Sequence, residues 1–373
     1  MTARRSPLHS EHVALGATLV DFAGWEMPVR YSGDIAEHVA VRTSAGLFDL
    51  CHMGEIAVRG DDAVAFLEYA LVGRMGAMGL GKAKYTMICA PDGGVIDDLV
   101  AYRRDWDHFV IVANASNKDT VLGELEARAA GFAVEIEDES DQVALIAVQG
   151  PASEGIVTAM IARDADNIDT LPYYAATNVV LEGDIHAFVA RTGYTGEDGF
   201  ELFVAAADAS EVWRLALAKG GDAITPCGLS ARDTLRLEAG MPLYGQELTR
   251  TTTPFDAGLG RVIAFGTEAN PRGDFVGRSA LETARDAAPA RVLVGLVGDG
   301  RRSPRAGYAV TDANGGVVGE VTSGAPSPTL GHPIGMAYVD AELSAAGTQV
   351  LIDVRGRGEP MAVAALPLYR RAQ

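Results

Sequence analysis

The chain has 373 residues, 48% hydrophobic and 22% charged, a balance that supports ordinary packed cores and excludes both a disordered chain and a miniature disulfide scaffold. Lysine and arginine number 31 against 50 acidic residues, and the net charge of −19 repels a phosphate backbone, so nucleic acid is not an expected partner. At about 150 residues per domain the length predicts two or three domains.

Three cysteines, Cys51, Cys89 and Cys227, lie far apart with no paired spacing, which fits a reducing compartment and predicts a cytoplasmic protein. The opening MTARRSPLHSEHVALG interrupts any apolar core of a secretory signal, and no run approaches the roughly 18 apolar residues of a membrane helix. No membrane association is expected.

In chain order, DDAVAFLEYALVG from Asp61 has apolar residues at helical spacing behind an aspartate cap. KAKYTMICAPDGGVIDDLVAYRR reads as two strands joined by a turn at Pro91–Gly94, and WDHFVIVAN (106–114) as a third. SNKDTVLGELEARAAG from Ser116 is a second amphipathic helix, with Gly131 as its stop. VALIAVQGP from Val143 predicts a strand and turn, followed by a helix from about Ala152, strands near 179–191 and 200–206, and helices at 209–219 and 228–240. Beyond about 275 helices thin out. The apolar runs RVLVGLVG, YAVTD, VVGEVTS, IGMAYV, QVLIDV and MAVAALPL then follow one another between turns, predicting a C-terminal β-barrel with a boundary near 280–290. Helices mixed with hairpins indicate an α+β fold with antiparallel sheets.

No G-x-G-x-x-G follows a strand and no Walker loop occurs, so neither a nicotinamide nor a triphosphate site is signalled; the seven histidines show no metal-binding spacing. Several other residues stand out. In VIDDLVAY, Val95, Asp97, Leu99 and Ala101 share one face and Ile96, Asp98, Val100 and Tyr102 the other. Whichever face is buried holds a carboxylate among apolar neighbours, costly unless partnered or protonated; pattern alone does not choose between the two aspartates, or exclude a solvated face. In GFELFVAA, Glu201 shares its face with Phe203, either as a surface residue or as a carboxylate gripping a planar ligand edge with two donors. RTGYTGEDGF places three glycines in seven residues, a plain turn or a loop able to approach a ligand closely. Arg232 and Asp233 can form a surface ion pair. Cys51 and His52 are not expected to form a catalytic dyad, because strand neighbours point opposite ways.

Six blocks in order carry a resemblance: VDFAGWEMPVRYSGDIAEHVAVRTSAGLFDLCHMGEI (20–56), GGVIDDLVAYR (93–103), ALIAVQGP (144–151), RTGYTGEDGFELF (191–203), CGLSARDTLRLEAGMPLYGQEL (227–248) and VTSGAPSPTLGHPIGMAYV (321–339). Together they resemble the T-protein of the glycine cleavage system, a tetrahydrofolate-dependent aminomethyltransferase family. The resemblance implies three domains in a cloverleaf around a central folate channel: a folate-binding region at 1–280, made of two α+β subdomains with the second inserted at about 53–140, and a β-barrel domain at 285–373.

It further implies that Asp97 is the essential aspartate beside the reactive folate nitrogens, with Asp98 its structural partner. Met53, Tyr85, Asn114, Tyr173 and Tyr174 match positions lining the folate channel. Tyr194, Glu201 and Arg232 match residues at the folate site, as does Arg370 in PLYRR. Cys51 stands where the family often has serine, and Thr86 where serine is expected. The implied reaction moves the methylene carbon of an S-aminomethyl-dihydrolipoyl arm on H-protein to tetrahydrofolate, releasing ammonia. Neither metal, flavin nor nicotinamide is required, and other glycine cleavage components would be indirect partners. H-protein is acidic in this family, so a local basic cluster is expected to dock it, with Arg301, Arg302 and Arg305 as candidates. A folate-dependent demethylase of the same fold and a non-catalytic folate-binding regulator are the alternatives. T-protein wording in the 191–203 and 227–248 blocks argues against the first, and the presence of Asp97 against the second.

Overall fold

A computed structural model describes residues 3–163, 168–354 and 356–371 of the chain. It divides into two compact units, one made of Met1–Leu67, Met75–Tyr85 and Leu99–Asp233, the other of Glu68–Arg74, Thr86–Asp98 and Thr234–Gln373.

The first unit holds a three-stranded sheet of Arg4–Arg5, Trp25–Arg30 and Thr18–Phe22, a seven-stranded sheet and most of a five-stranded one. In the seven-stranded sheet the order is Ile161–Arg163, Ala176–Leu181, Ile185–Ala190, Gly199–Ala205, Val143–Gln149, Ala45–Asp49, Ile224–Pro226. The strands Val143–Gln149 and Gly199–Ala205 are antiparallel, with Ile146 opposite Leu202 and Ala147 opposite Glu201. Side chains alternate, so Ala144, Ile146, Val148, Phe200, Leu202 and Val204 share one face. That face is apolar and packs in one core with the helices Ser153–Met160 and Ala209–Gly220, through Ile156, Val157, Met160, Val212 and the fully buried Trp213. Glu201 and Phe203 are thereby turned to the opposite face.

The five-stranded sheet runs Ala83–Cys89, Val95–Asp105, His108–Ala113, Gly54–Arg59, Glu135–Asp138, and its antiparallel ladders match the predicted hairpin arrangement. The predicted helices at 61–73 and 116–131 are present as Ala63–Ala70 and Lys118–Arg128, the second burying Val121 and Leu125. Cys51 and His52 lie in the turn after the strand Ala45–Asp49 rather than inside a strand, so strand alternation does not place them; the Cys51 thiol meets the Leu145 carbonyl at 3.6 Å and the His52 ring packs on Phe22. Cys51 is buried and its pKa is pushed well up, first by burial and then by the Asp49 charge, which keeps it an unreactive thiol.

In the second unit the predicted barrel closes with six strands in the order Arg291–Val297, Pro333–Asp340, Val317–Pro326, Ala309–Thr311, Gln349–Asp353, Gly358–Ala364. Leu296, Val310, Val321, Val339, Ile352 and Val363 fill its interior. Helices thin out later than the composition indicates, because Arg278–Ala287 is helical, with Leu281 its one buried residue. The buried Arg236 donates to Glu247 at 2.8 Å and to Ser323 at 2.7 Å, tying the segment after the 229–238 helix to a barrel strand. No helix of the described residues is long and apolar enough to cross a membrane.

A buried hub anchors the N-terminal segment to the first unit. His12 Nε2 lies 2.7 Å from Asp49 Oδ2, Ser6 Oγ donates to the same oxygen at 2.5 Å, the Cys51 N–H donates to Oδ1 at 2.8 Å, and Tyr31 OH meets His12 Nδ1 at 2.9 Å. Burial opposes ionisation of Asp49, but the hydrogen bond and charge of His12, with Ser6 and Cys51, hold its pKa below the ordinary aspartate value. A depressed carboxylate pKa stabilises the fold above the unfolded-state value of about 4, and that stability is lost as pH falls through the folded-state value. Asp49→Asn is expected to cost about 3 kcal/mol at pH 7, since an amide cannot accept from all the buried groups that the carboxylate holds. Denaturant unfolding of both proteins from pH 7 to 3 should show the gap narrowing below about pH 4; a gap independent of pH would mean that the carboxylate charge contributes nothing.

Candidate active site

On the face of the seven-stranded sheet turned away from the helices, Glu201 is half-buried and accepts the Tyr102 hydroxyl at 3.0 Å and the Thr192 hydroxyl at 2.5 Å, both on Oε2. Tyr102 and Thr192 are themselves buried and lie 3.1 Å apart, oxygen to oxygen. Tyr102 comes from the five-stranded sheet, where its ring also meets Phe203 edge-on at 5.2 Å. Burial, followed by the Glu201 charge, pushes the Tyr102 pKa well up, so the phenol stays protonated and donates. With Oε2 fixed by two donors, Oε1 has no hydrogen-bond partner among the described residues. Glu201 is therefore a held carboxylate rather than a solvated surface residue.

Arg232 projects from the helix Leu229–Glu238, and its guanidinium lies 4.9 Å from the centre of the Tyr194 ring. Burial lowers its pKa, while the charges of Glu201 and Tyr194 act in the other direction. The approach of this helix depends on Gly228: a Cβ there would collide with the Val29 carbonyl and the Arg30 nitrogen. It also depends on Glu37, which accepts the N–H groups of Tyr31 at 2.7 Å, Ser32 at 2.9 Å, Gly33 at 3.0 Å and Gly228 at 2.8 Å. One buried carboxylate thus fastens the 227–238 segment to the chain near residue 30.

Two glycines of the glycine-rich loop make room for a side chain of the protein itself. A Cβ at Gly193 or Gly199 would overlap the Gln149 side chain, which donates to the Thr192 carbonyl at 3.0 Å and accepts the Thr195 hydroxyl at 3.0 Å. These two glycines make room for a glutamine that sets the loop's shape, and with it the positions of Thr192 and Tyr194. Arg191 fixes the loop from outside through Asp198 at 2.9 Å and Glu154 at 2.8 Å.

The remaining tyrosines form a neighbouring group. Tyr173 and Tyr174 pack edge-on at 4.8 Å, and Tyr174 has a positive φ of 60°, held by its N–H donating to the Arg191 carbonyl and its carbonyl accepting the Ala83 N–H. That second bond ties the pair to the strand Ala83–Cys89, which carries the half-buried Tyr85. Gly54 pairs with Ala113, so Met53 and Asn114 stand at the same end of two adjacent strands. These five residues, with Tyr194, Glu201 and Arg232, belong to the first unit, and Asp97 and Arg370 belong to the second. Asp97 is wholly buried (0% exposed) with Val95, Leu99 and Ala101 on its face, whereas Asp98 is half-buried. Both faces of VIDDLVAY hold buried residues, Ile96 and Tyr102 on the Asp98 side, and of the two aspartates Asp97 is the enclosed one. Arg370 is exposed.

Sequence reasoning did not assign Tyr102 or Thr192 a part in the site. A buried tyrosine in a strand and a threonine beside Gly193 carry no signal of their own, and only the packing of the two sheets brings both hydroxyls to Glu201. His52 is a further neighbour: it is buried against Phe22 at 5.5 Å, and burial, reinforced by the Arg232 charge and opposed by Asp49, lowers its pKa to about 4.

The two sheets meeting at a clamped carboxylate, with an arginine stacked on a tyrosine and a closed barrel at the C-terminus, define an α+β ligand-binding protein with an appended barrel domain. Residues 8–267 match the family model of the GCVT N-terminal domain, and residues 291–370 that of the glycine cleavage T-protein C-terminal barrel domain. The chain belongs to the glycine cleavage T-protein family. Proteins named aminomethyltransferase from Streptomyces avermitilis and Bacillus subtilis are 57% and 43% identical to it, each aligned over 99% of this chain and over 98% and 99% of their own lengths. The crystal structure of glycine cleavage system aminomethyltransferase T from Bartonella henselae is 34% identical with a TM-score of 0.89, covering 98% of both chains.

His52 should stay neutral across the physiological range. Its imidazole nitrogen NMR shifts are expected to remain those of the neutral ring from pH 8 to 5 and to move only near pH 4. Because the unfolded chain binds this proton near pH 6.5 and the folded one does not, stability should fall as pH drops from 6.5 to 4. A His52 titration midpoint near 6.5 would show that burial does not govern it.

Proposed function

We propose that the chain is the aminomethyltransferase of the glycine cleavage system, moving the methylene carbon of S-aminomethyl-dihydrolipoyl H-protein to tetrahydrofolate. Ammonia, 5,10-methylenetetrahydrofolate and dihydrolipoyl H-protein are the products. The observation that carries the folate assignment is Glu201, whose Oε2 is held by Tyr102 and Thr192 while Oε1 has no hydrogen-bond partner among the described residues. A fixed carboxylate with spare acceptor capacity suits the two-donor edge of a pterin, and Arg232 stacked on Tyr194 offers a cationic, aromatic wall beside it. Met53, Tyr85, Asn114, Tyr173 and Tyr174 would line the folate channel, and Arg370 would add a cation. In this reading residues 1–280 are the folate-binding region, with a second subdomain inserted at about 53–140, and residues 285–373 the barrel domain. The protein acts in the cytoplasm with lipoylated H-protein as its partner and without metal, flavin or nicotinamide.

Bound tetrahydrofolate supplies the nucleophilic amine. Asp97 acts on that amine: a carboxylate can stabilise positive charge developing on nitrogen, take up its proton and orient it. Its burial makes each of these effects stronger than in water. Docking of H-protein is assigned to the exposed Arg301 and Arg305; Arg302 in the same loop already donates to Glu359 at 2.6 Å.

In an assay of ammonia release with lipoylated H-protein and tetrahydrofolate, Asp97→Asn is expected to lower turnover roughly 10²-fold or more with folate affinity little changed, and Asp98→Asn to lower it less. Equal losses in turnover would withdraw the assignment of Asp97.

Glu201→Gln should instead act on affinity. The amide offers a donor where an acceptor is needed, and calorimetry should show tetrahydrofolate binding weakened by about 1–3 kcal/mol. Unchanged affinity in the folded variant would return Glu201 to a structural role.

A further inference from the structure

The first unit contains a carboxyl group that the proposed reaction does not use. Glu55 is 1% exposed, and neither Oε1 nor Oε2 has a hydrogen-bond partner among the described residues. Its backbone is secured, the N–H donating to Ser140 Oγ at 3.0 Å and the carbonyl accepting the Glu139 N–H at 2.9 Å. A buried carboxyl without donors is costly, and a position that keeps one against that cost is a candidate for function.

Glu55 lines a cavity of about 440 Å³ between the seven-stranded and five-stranded sheets, together with Arg104, Glu139, Asn178, Phe188 and Phe203. That volume is within the range of small-molecule sites. The nearby cations are already engaged. Arg104 lies 4.5 Å above the Phe188 ring and donates to Asn178 at 3.2 Å; Arg59 is bound by Glu137 at 3.2 Å and by Glu139; Lys118 is bound by Asp138 at 2.5 Å. Among the described residues none of these donors reaches the Glu55 oxygens.

We propose that this cavity binds a small organic ammonium ion, its N–H groups on Glu55 and its apolar body against Phe203 and Phe188. An ammonium supplies donors to both oxygens at once, and its charge pairs with the ionised Glu55 as a neutral amide or alcohol cannot. The site is separate from the Glu201 carboxylate and does not rest on the folate reading.

Burial, with the charges of Asp138 and Glu139 and against that of Lys118, raises the Glu55 pKa well above the usual carboxylate range. Arg104 and His186 also line the cavity, and Arg59 is held beside it by Glu139. The empty cavity thus holds Glu55 as the neutral acid. Binding of the ammonium transfers that proton to solvent and leaves a carboxylate paired with the cation, so affinity rises with pH until the ammonium itself deprotonates near pH 10.

Calorimetric titration of the full chain with 2-phenylethylammonium and n-butylammonium, each against its alcohol analogue, tests this. The expected result is saturable one-site binding of an ammonium, roughly tenfold or more tighter than its alcohol. A binding heat that varies with buffer ionisation enthalpy would show the released proton. Glu55→Gln, near-isosteric and uncharged, should weaken binding at least about tenfold. Ala205→Leu, on the cavity wall in the strand that carries Phe203, should do the same with Glu55 intact, and it carries the test if Glu55→Gln does not fold. Equal affinity for alcohol and ammonium, undiminished binding in a folded Glu55→Gln or in Ala205→Leu, or no saturable binding of either ammonium overturns the proposal.

Discussion

The first unit turns on one hydrogen bond between sheets, from the Tyr102 hydroxyl to Glu201. Strand alternation makes this contact necessary. Once Phe200, Leu202 and Val204 are buried against the helices, Glu201 must face the other way, into a space closed by the second sheet. An ionised carboxylate in that position is stable only if donors reach it, and Tyr102 and Thr192 are those donors. The same contact sets the position of Tyr102 against Phe203 and so the packing between the sheets at this point.

This arrangement recurs with other charged groups. Asp49 is met by His12, Ser6 and the Cys51 N–H, and Glu37 by four backbone N–H groups. In the second unit Glu247 is met by Arg236 and Ser323. Each carboxylate joins segments distant in sequence, such as residues 31–37 with 228, or 236 with 323. Replacing one member leaves the others buried without partners, so these clusters resist piecemeal substitution. Glu55 departs from the pattern, its side chain having no donor among the described residues. That departure is the reason for assigning it a ligand.

Local pattern was enough for the elements with strong periodicity. The barrel strands were legible because each is a short apolar run bounded by glycine or proline. The helix at Lys118–Arg128 was legible because its apolar residues return at helical spacing. Arg278–Ala287 was not: its charged, alanine-rich stretch ETARDAAPA reads as a domain boundary, although its polar and apolar residues do segregate at helical spacing. The glycines of RTGYTGEDGF show a related limit. Sequence says that a glycine permits close approach but not what approaches, and here Gln149 does so, from a strand some forty residues upstream.

By itself the sequence determined the α+β composition, the closed C-terminal barrel, the family and the presence of a carboxylate on each face of VIDDLVAY. Those follow from short-range periodicity and from ordered runs of residues, both of which are properties of the chain alone. Only the tertiary structure decided that Asp97 rather than Asp98 is the enclosed aspartate, that Glu201 is clamped by Tyr102 and Thr192, and that Glu55 lines a cavity with no donor to its side chain among the described residues. Burial and partnership depend on which distant surface closes over a face, and a strand's own residues carry the alternation but not the identity of what covers them.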